Sequence, residues 1–178
     1  GARASRSMRC TVVGAGVSGL TCAVKLLEAG HEVEVISDKF SPDTVSDVAA
    51  AIWYPFLTAP VNRSDPWCIL TYSVLQGLAR DEPESGVVMR DGREYLREVV
   101  ALPAWKDDIA SFRVLEANEI VQGYVFGWEF RAPVIEMHRY MPWLHSKVES
   151  MGGSFRQSFV SDLSEVPGEV VVNCVGLG

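Results

Sequence analysis

Val12-Val13-Gly14-Ala15-Gly16-Val17-Ser18-Gly19, with Asp38 further along, is the stretch on which the reading of this chain turns. Cys10 to Val13 is a short apolar run of the kind a buried strand shows, and from Val17 to Glu28 the apolar residues Val17, Leu20, Ala23, Val24 and Leu27 recur with the helical period. Glycines occupy the passage between the two. Gly14 permits a tight turn, Gly16 lets backbone approach a pyrophosphate, and Gly19 lets the helix pack close on the strand. Free N–H groups at the helix start, reinforced by the helix dipole, then face phosphate. Gly30 closes the helix after Ala29, and Glu32 to Ile36 reads as a second strand in which Val33 and Val35 alternate with glutamates. Asp38 falls at its end, where a carboxylate accepts hydrogen bonds from adenosine ribose hydroxyls and repels the 2′-phosphate of NADP, which leaves NAD and FAD.

Composition sets the bounds around this motif. With 178 residues and 48% hydrophobic content the chain can bury a core in one or two domains. The net charge of -7 argues against nucleic acid or an anionic membrane surface as the main partner. No apolar run reaches the roughly 20 residues of a membrane span. Gly1 to Ser7 lacks the apolar segment of a signal peptide and reads as an extension before Met8, so a cytoplasmic location is expected. Cys10, Cys22, Cys68 and Cys174 show no CxxC spacing, and Cys10, Cys22 and Cys174 fall in expected strands or helices as buried free thiols. His138 and His145 share a helix face, but no Cys or His completes a ligand set, so no metal site is expected.

Ser41 to Phe56 leads from hydroxyls and carboxylates into small residues. Thr44 and Ser46 are good N-cap residues, so a second short helix could aim N–H groups at the pyrophosphate; an ordinary loop followed by an alanine-rich core helix fits equally. From Ser64 a helix is expected, started by Asp65-Pro66, with Trp67, Leu70, Val74 and Leu78 as its core stripe. Val87 to Met89 and Tyr95-Leu96 flank Asp91-Gly92, a hairpin signal, and Tyr124 to Phe130 reads as a half-buried strand. The stretch from 80 to 135 is therefore an antiparallel insert, suited to face substrate, to act as a cap or to form a dimer surface. Arg139 to Met151 is a helix with Tyr140, Leu144, Val148 and Met151 on one face, ended by Gly152-Gly153. Ser154 to Val160 and Glu169 to Cys174 read as strands, the run Val170-Val171-Val172 being typical of a buried parallel strand. The closing glycine turn from Asn173 to Gly178 follows a strand's carboxyl end and should face the cofactor. The expected fold is α/β: a Rossmann-like parallel sheet with helices built from residues 8–79 and 136–178, plus part of an antiparallel sheet from 80–135.

Gly14 to Leu20, the block Asp38 to Trp53, and Val171 to Gly178 together resemble the D-amino-acid oxidases and D-aspartate oxidases. Trp105-Lys106-Asp107, Phe112 to Leu115 and Tyr124 to Trp128 look like the same family's middle region, so the resemblance runs from Met8 to the last residue. It implies FAD rather than NAD. It also implies that Gly14, Ala15, Gly16, Val17, Ser18 and Gly19 hold the pyrophosphate, and that Asp38 and Lys39 meet the adenosine ribose and its surroundings. Thr44, Val45 and Ser46 match phosphate and ribityl contacts, with Val45 in place of a usual threonine. Ala50, Ala51, Ile52 and Trp53 match the segment beside the flavin ring, Ala51 standing where many relatives have glycine. Val160 matches a contact to the adenine part, and Cys174, Val175 and Gly176 match the last turn, Val175 replacing threonine or serine.

For the activity, the resemblance implies oxidative deamination of D-amino acids by hydride transfer to flavin N5, with O2 as acceptor and a 2-oxo acid, ammonia and hydrogen peroxide as products. A homodimer is expected, in the cytoplasm, or in the peroxisome if the source is eukaryotic. The family's carboxylate-pairing arginine and its neighbouring tyrosines are expected beyond Gly178, so the chain is expected to be one piece of a longer enzyme. Neither Arg131 nor Tyr124 sits at the matching place, and no catalytic residue is assigned. Three alternatives stand beside this reading: D-aspartate oxidase, an FAD-binding fragment without its own catalysis, and an NAD-dependent dehydrogenase on the same nucleotide fold.

Overall fold

The structure, a computed structural model, describes residues 6–49, 51–55 and 61–176. In chain order the elements are β1 (Arg9–Val13), α1 (Val17–Glu28), β2 (Glu32–Ser37), β3 (Ala51–Ile52), α2 (Val61–Asp81) and β4 (Val87–Leu96). They continue with β5 (Phe112–Val114), β6 (Phe126–Ile135), α3 (Met137–Ser150), β7 (Ser154–Gln157) and β8 (Val170–Asn173). The chain divides into two compact units, Gly1–Ala49 with Met137–Gly178, and Ala50–Glu136.

The first unit is a parallel sheet in the order β7-β2-β1-β8. Val12 and Val35, paired in register at its centre, are fully buried. Such a strand must be apolar on both faces because helices cover it. α1 buries Gly19, Leu20, Ala23 and Val24, as the helical period requires, and packs against α3. Its end follows from backbone geometry. Gly30, at φ +85°, donates its N–H to Leu27 O while His31 donates to Leu26 O, which satisfies carbonyls of the last turn. α3 starts at Met137, two residues earlier than expected, and buries Met137, Tyr140, Met141, Leu144 and Val148. Met151 lies past its end and is only half-buried. β7 stops at Gln157 and does not reach Val160, because β2 ends at Ser37 and offers no further strand to pair with. Val170 to Val172 are half-buried and not fully buried: among the described residues β8 is an edge strand, paired with β1 alone.

The second unit is antiparallel. β6 pairs with β3 and β4, and β5 adds to it. The expected hairpin at Asp91-Gly92 does not form. Both residues lie inside β4, which stays in register with β6 from Val87↔Ile135 to Leu96↔Phe126, so a long ladder overrides a local turn preference. Gly92 faces Phe130, whose ring comes within 3.7 Å of where a Cβ would sit, and Asp91 accepts a hydrogen bond at 2.9 Å from its cross-strand partner Arg131.

α2 also differs from expectation. It begins at Val61 with Pro66 inside it, and the anticipated core stripe faces outward: Trp67, Leu70 and Val74 are 59%, 64% and 42% exposed. Tyr72 and Leu75 are the buried face. The Tyr72 hydroxyl explains the choice, since it donates to Arg131 O and accepts from Ala110 N–H, both at 3.0 Å, tying helix to sheet and loop. Because α2 packs on β4 and β6 and β3 pairs with β6, the boundary between units falls after Ala49, not near residue 79. The core here is aromatic: Trp53, Tyr72, Trp105, Trp128 and Phe130, with edge-to-face pairs such as Trp53–Tyr72 at 4.9 Å.

On the sheet surface, Arg93 and Arg113 each pair with both Glu119 and Glu129 at 2.7–3.0 Å. The hydrogen bonds from Arg113, followed by the Glu116 N–H, bring the Glu119 carboxyl down to about 2. A carboxylate lowered in the folded state contributes stability above its unfolded-state pKa, about 4.3, and loses it as the pH falls toward the folded value. The urea midpoint of the wild type should therefore fall across that window more steeply than that of Glu119→Gln; parallel curves would show that the network contributes nothing. In the same assay Tyr72→Phe should cost about 1 kcal/mol, since an N–H and a carbonyl lose their partner, whereas Val74→Thr should stay within about 0.5 kcal/mol. The opposite ranking would mean that the other face of α2 is buried.

Candidate cofactor site

The carboxyl ends of β1 and β8 lie side by side, and β1 continues through α1 to β2 on its other flank. The strand order reverses here, and an open parallel sheet forms its ligand crevice at such a point.

Three glycines shape the turn after β1, for three different reasons. Gly14 has φ +105°, donates its N–H to Ile36 O at 2.8 Å, and would place a Cβ 2.3 Å from the Cys174 carbonyl oxygen. Gly19 would place one 1.8 Å from the Gly14 carbonyl oxygen, so the first turn of α1 closes on the glycine turn itself and not on the strand. Gly16 is extended (φ -73°, ψ -176°), a conformation any residue adopts, and a Cβ there would stand 3.1 Å from Ser46 Oγ. What the missing side chain leaves at Gly16 is space beside Ser46. The turn after β8 locks onto the same place, with Cys174 N–H donating to Val13 O at 2.7 Å.

α1 has no side-chain cap of its own at Gly16. The Val17 N–H donates instead to Ser46 Oγ at 2.9 Å. An oxygen from a neighbouring loop thus occupies an acceptor position at the positive end of the helix, where an anionic phosphate oxygen is favoured. Ser46 is held there by the segment Ser41–Val48. Of the two forms expected, the short helix is the one present, a 3-10 turn over Val45–Val48 with Thr44 as its N-cap; no alanine-rich core helix follows it among the described residues. Asp47 organises it. Its carboxylate accepts from Thr44 N–H at 3.0 Å, Thr44 Oγ1 at 2.5 Å and Ser41 Oγ at 2.5 Å. Sequence reasoning noticed Thr44 and Ser46 and passed over Asp47, although Thr44-x-x-Asp47 carries the three-residue spacing of a capping box.

Asp38 and Lys39 directly follow β2 and are exposed. Gln157 Nε2 donates to the Asp38 carbonyl at 3.1 Å and Ser37 Oγ accepts from Lys39 N–H at 3.4 Å, which fixes the backbone and leaves the Asp38 carboxylate outward. Val45 is 87% exposed and Val175 42% exposed, so the two valines that replace hydroxyl residues present methyl groups to the surface. Val175 N–H donates to Asn173 Oδ1 at 3.3 Å, and Gly176 completes the turn at φ +74°. Val160 is half-buried beyond β7, lining a shallow cavity with Ile36 and Arg156. A larger hollow of about 400 Å³ lies at the opposite edge, where strands begin, lined by Arg9, Cys10, Glu32 and Val33.

The first unit therefore brings together Gly14 to Gly19, Ser46 and Cys174 directly, with Asp38, Lys39 and Val160 following strands of the same sheet. Ala51, Ile52 and Trp53 belong to the second unit, where Ile52 is 55% exposed and Trp53 is a core residue donating Nε1–H to Cys68 O at 2.8 Å. Ala50 lies outside the described residues. In that unit Tyr54 donates to Glu94 at 2.5 Å, and burial followed by the Glu94 carboxylate pushes its phenol far above the usual range.

A turn with no room for side chains, a helix start aimed into it and an outward carboxylate after the second strand fit the pyrophosphate and ribose of a dinucleotide, and define the class as a dinucleotide-binding flavoprotein or dehydrogenase fold. The chain belongs to the FAD dependent oxidoreductase family, whose sequence profile matches residues 9–178. FAD is accordingly its cofactor. It is 38% identical over 172 residues to the D-amino-acid oxidase of Rubrobacter xylanophilus, covering 95% of this chain and 52% of that protein. With the D-aspartate oxidase of Homo sapiens it shares 35% identity over 182 residues, 96% of this chain and 53% of the relative. The chain thus spans about half the length of these relatives. Among solved structures, L-proline dehydrogenase from P. horikoshii superposes with a TM-score of 0.68 at 14% identity, covering 95% of this chain and 53% of that one, a likeness of fold alone.

Gly16→Val should abolish flavin retention while leaving the far-ultraviolet circular dichroism unchanged, because the backbone there is unstrained and the new side chain fills the approach and crowds Ser46 alone. Asp47→Ala should weaken FAD binding by about tenfold, on the order of 1.4 kcal/mol for the loss of a loop's organising carboxylate. Fluorescence titration with FAD measures both, and wild-type affinity in either variant would remove that residue from the site.

Proposed function

We propose that the protein is an FAD-dependent oxidase of D-amino acids, yielding 2-oxo acid, ammonia and hydrogen peroxide. The observation that carries this reading is the pairing of the glycine cradle with 38% identity to a D-amino-acid oxidase over nearly the whole chain. When bound, FAD supplies the acceptor for the hydride of the substrate's Cα–H bond and passes the electrons to O2. The described residues bind and orient. The start of α1 and the Ser41–Val48 segment hold the pyrophosphate, Asp38 takes the ribose hydroxyls, and the turn after β8 closes against Gly14. Positioning of this kind lowers the barrier by fixing the reacting atoms before the step, without an acid or base from this chain.

The identity to a D-aspartate oxidase supports a second reading, in which the substrate is an acidic D-amino acid. Visible spectra of the full-length protein under anaerobic conditions separate the two. Bleaching of the flavin bands by D-alanine and not by L-alanine is the expected result; bleaching by D-aspartate alone would favour the second reading, and a flavin that no D-amino acid bleaches would overturn both.

A further inference from the structure

Four cysteines are present and none is disulfide-bonded. Two of them meet at the cofactor cradle. The β-carbon of Cys174, at the end of β8, stands 3.4 Å from where a Cβ on Gly19 would lie, so its side chain rests on the first turn of α1. Cys22 is three residues further along that helix, on the same face. The Cys22 sulfur is a neighbour that bears on the Cys174 thiol, and both side chains are half-buried.

We propose that Cys22 and Cys174 form a peroxide-sensitive dithiol whose oxidation staples α1 to the turn after β8 at the cofactor site. The chemistry balances with hydrogen peroxide as oxidant. The Cys22 thiolate attacks one peroxide oxygen, the O–O bond breaks, and hydroxide leaves with the proton that Cys22 released, forming water and a sulfenic acid. The Cys174 sulfur then attacks the Cys22 sulfur, the S–O bond breaks, and the departing hydroxide takes the Cys174 proton as a second water. Two thiols lose two electrons and two protons, and one peroxide is reduced to two waters.

The roles of the two sulfurs follow from their surroundings. Burial, followed by the neighbouring Cys22 sulfur, pushes the Cys174 thiol up to about 11, so it is not the sulfur that peroxide oxidises first; its place beside Cys22 makes it the resolving partner, which gives up its proton as it attacks the sulfenic acid. The other two thiols are poorly placed to compete. Burial and then Glu169 push the Cys10 thiol up, and burial and then Asp65 do the same to Cys68, so the reactive thiolate form of each is scarce. A staple between residues 22 and 174 would also close most of the chain into one loop, which constrains the unfolded state strongly.

The test uses purified protein treated with a small excess of hydrogen peroxide, digested without reduction and mapped by mass spectrometry. The expected result is a single cross-link joining the Cys22 and Cys174 peptides, lost in Cys22→Ser and reversed by dithiothreitol, with Cys10 and Cys68 still alkylatable. Melting of the oxidised wild type should rise by about 10 °C over the reduced form, a rise absent in Cys22→Ser. Sulfinic acid on either residue without a cross-link, preferential oxidation of Cys68, or an unchanged melting temperature in the cross-linked protein would overturn the proposal. None of these readouts involves an amino-acid substrate, so the result stands apart from the reading of the oxidase activity.

Discussion

Close approach of backbone to backbone at the end of β1 is the constraint on which the site depends. Gly14 lies against the Cys174 carbonyl and Gly19 against the Gly14 carbonyl, at separations where any β-carbon would overlap backbone that cannot move aside. The glycines thus do two things at once. They leave a side-chain-free face at the end of β1, and they let β1, α1 and the turn after β8 converge at one point. Everything placed at the site inherits its position from that convergence, including the N–H of Val17 and the serine loop that reaches it.

The contrast between the two units shows what a sequence makes visible. β1, α1 and β2 were legible almost to the residue, because period, glycine spacing and a helix stop all pointed the same way. The antiparallel unit was legible in class and not in detail. Asp91-Gly92 has the composition of a turn, yet ten register pairs with β6 keep it extended, and no local window of sequence contains that partner. The face of α2 was misread for a related reason. Trp67, Leu70 and Val74 are apolar at helical spacing, but the helix is oriented by the hydroxyl of Tyr72, whose two partners lie in distant segments.

The candidate site divides along the same line. Residues that act through backbone, such as Gly14 and Gly19, were readable from spacing alone. Asp47 was readable in part, since its spacing from Thr44 is that of a capping box, but its hold on Ser41 and the reach of Ser46 to α1 show only in the folded loop. The Cys22 and Cys174 pair is likewise invisible in a sequence that separates them by most of its length; parallel pairing of β1 and β8 brings them together.

The central claim is that this cradle grips the pyrophosphate and adenosine of its cofactor. Equilibrium dialysis of the purified protein against FAD and against FMN, which carries the flavin and one phosphate but no adenosine, tests it most directly. The account predicts retention of FAD with FMN bound at least a hundredfold more weakly, about 2.7 kcal/mol. Equal retention of the two would contradict it, placing the grip on the flavin end and leaving Gly14 to Gly19 and Asp38 without the role assigned to them.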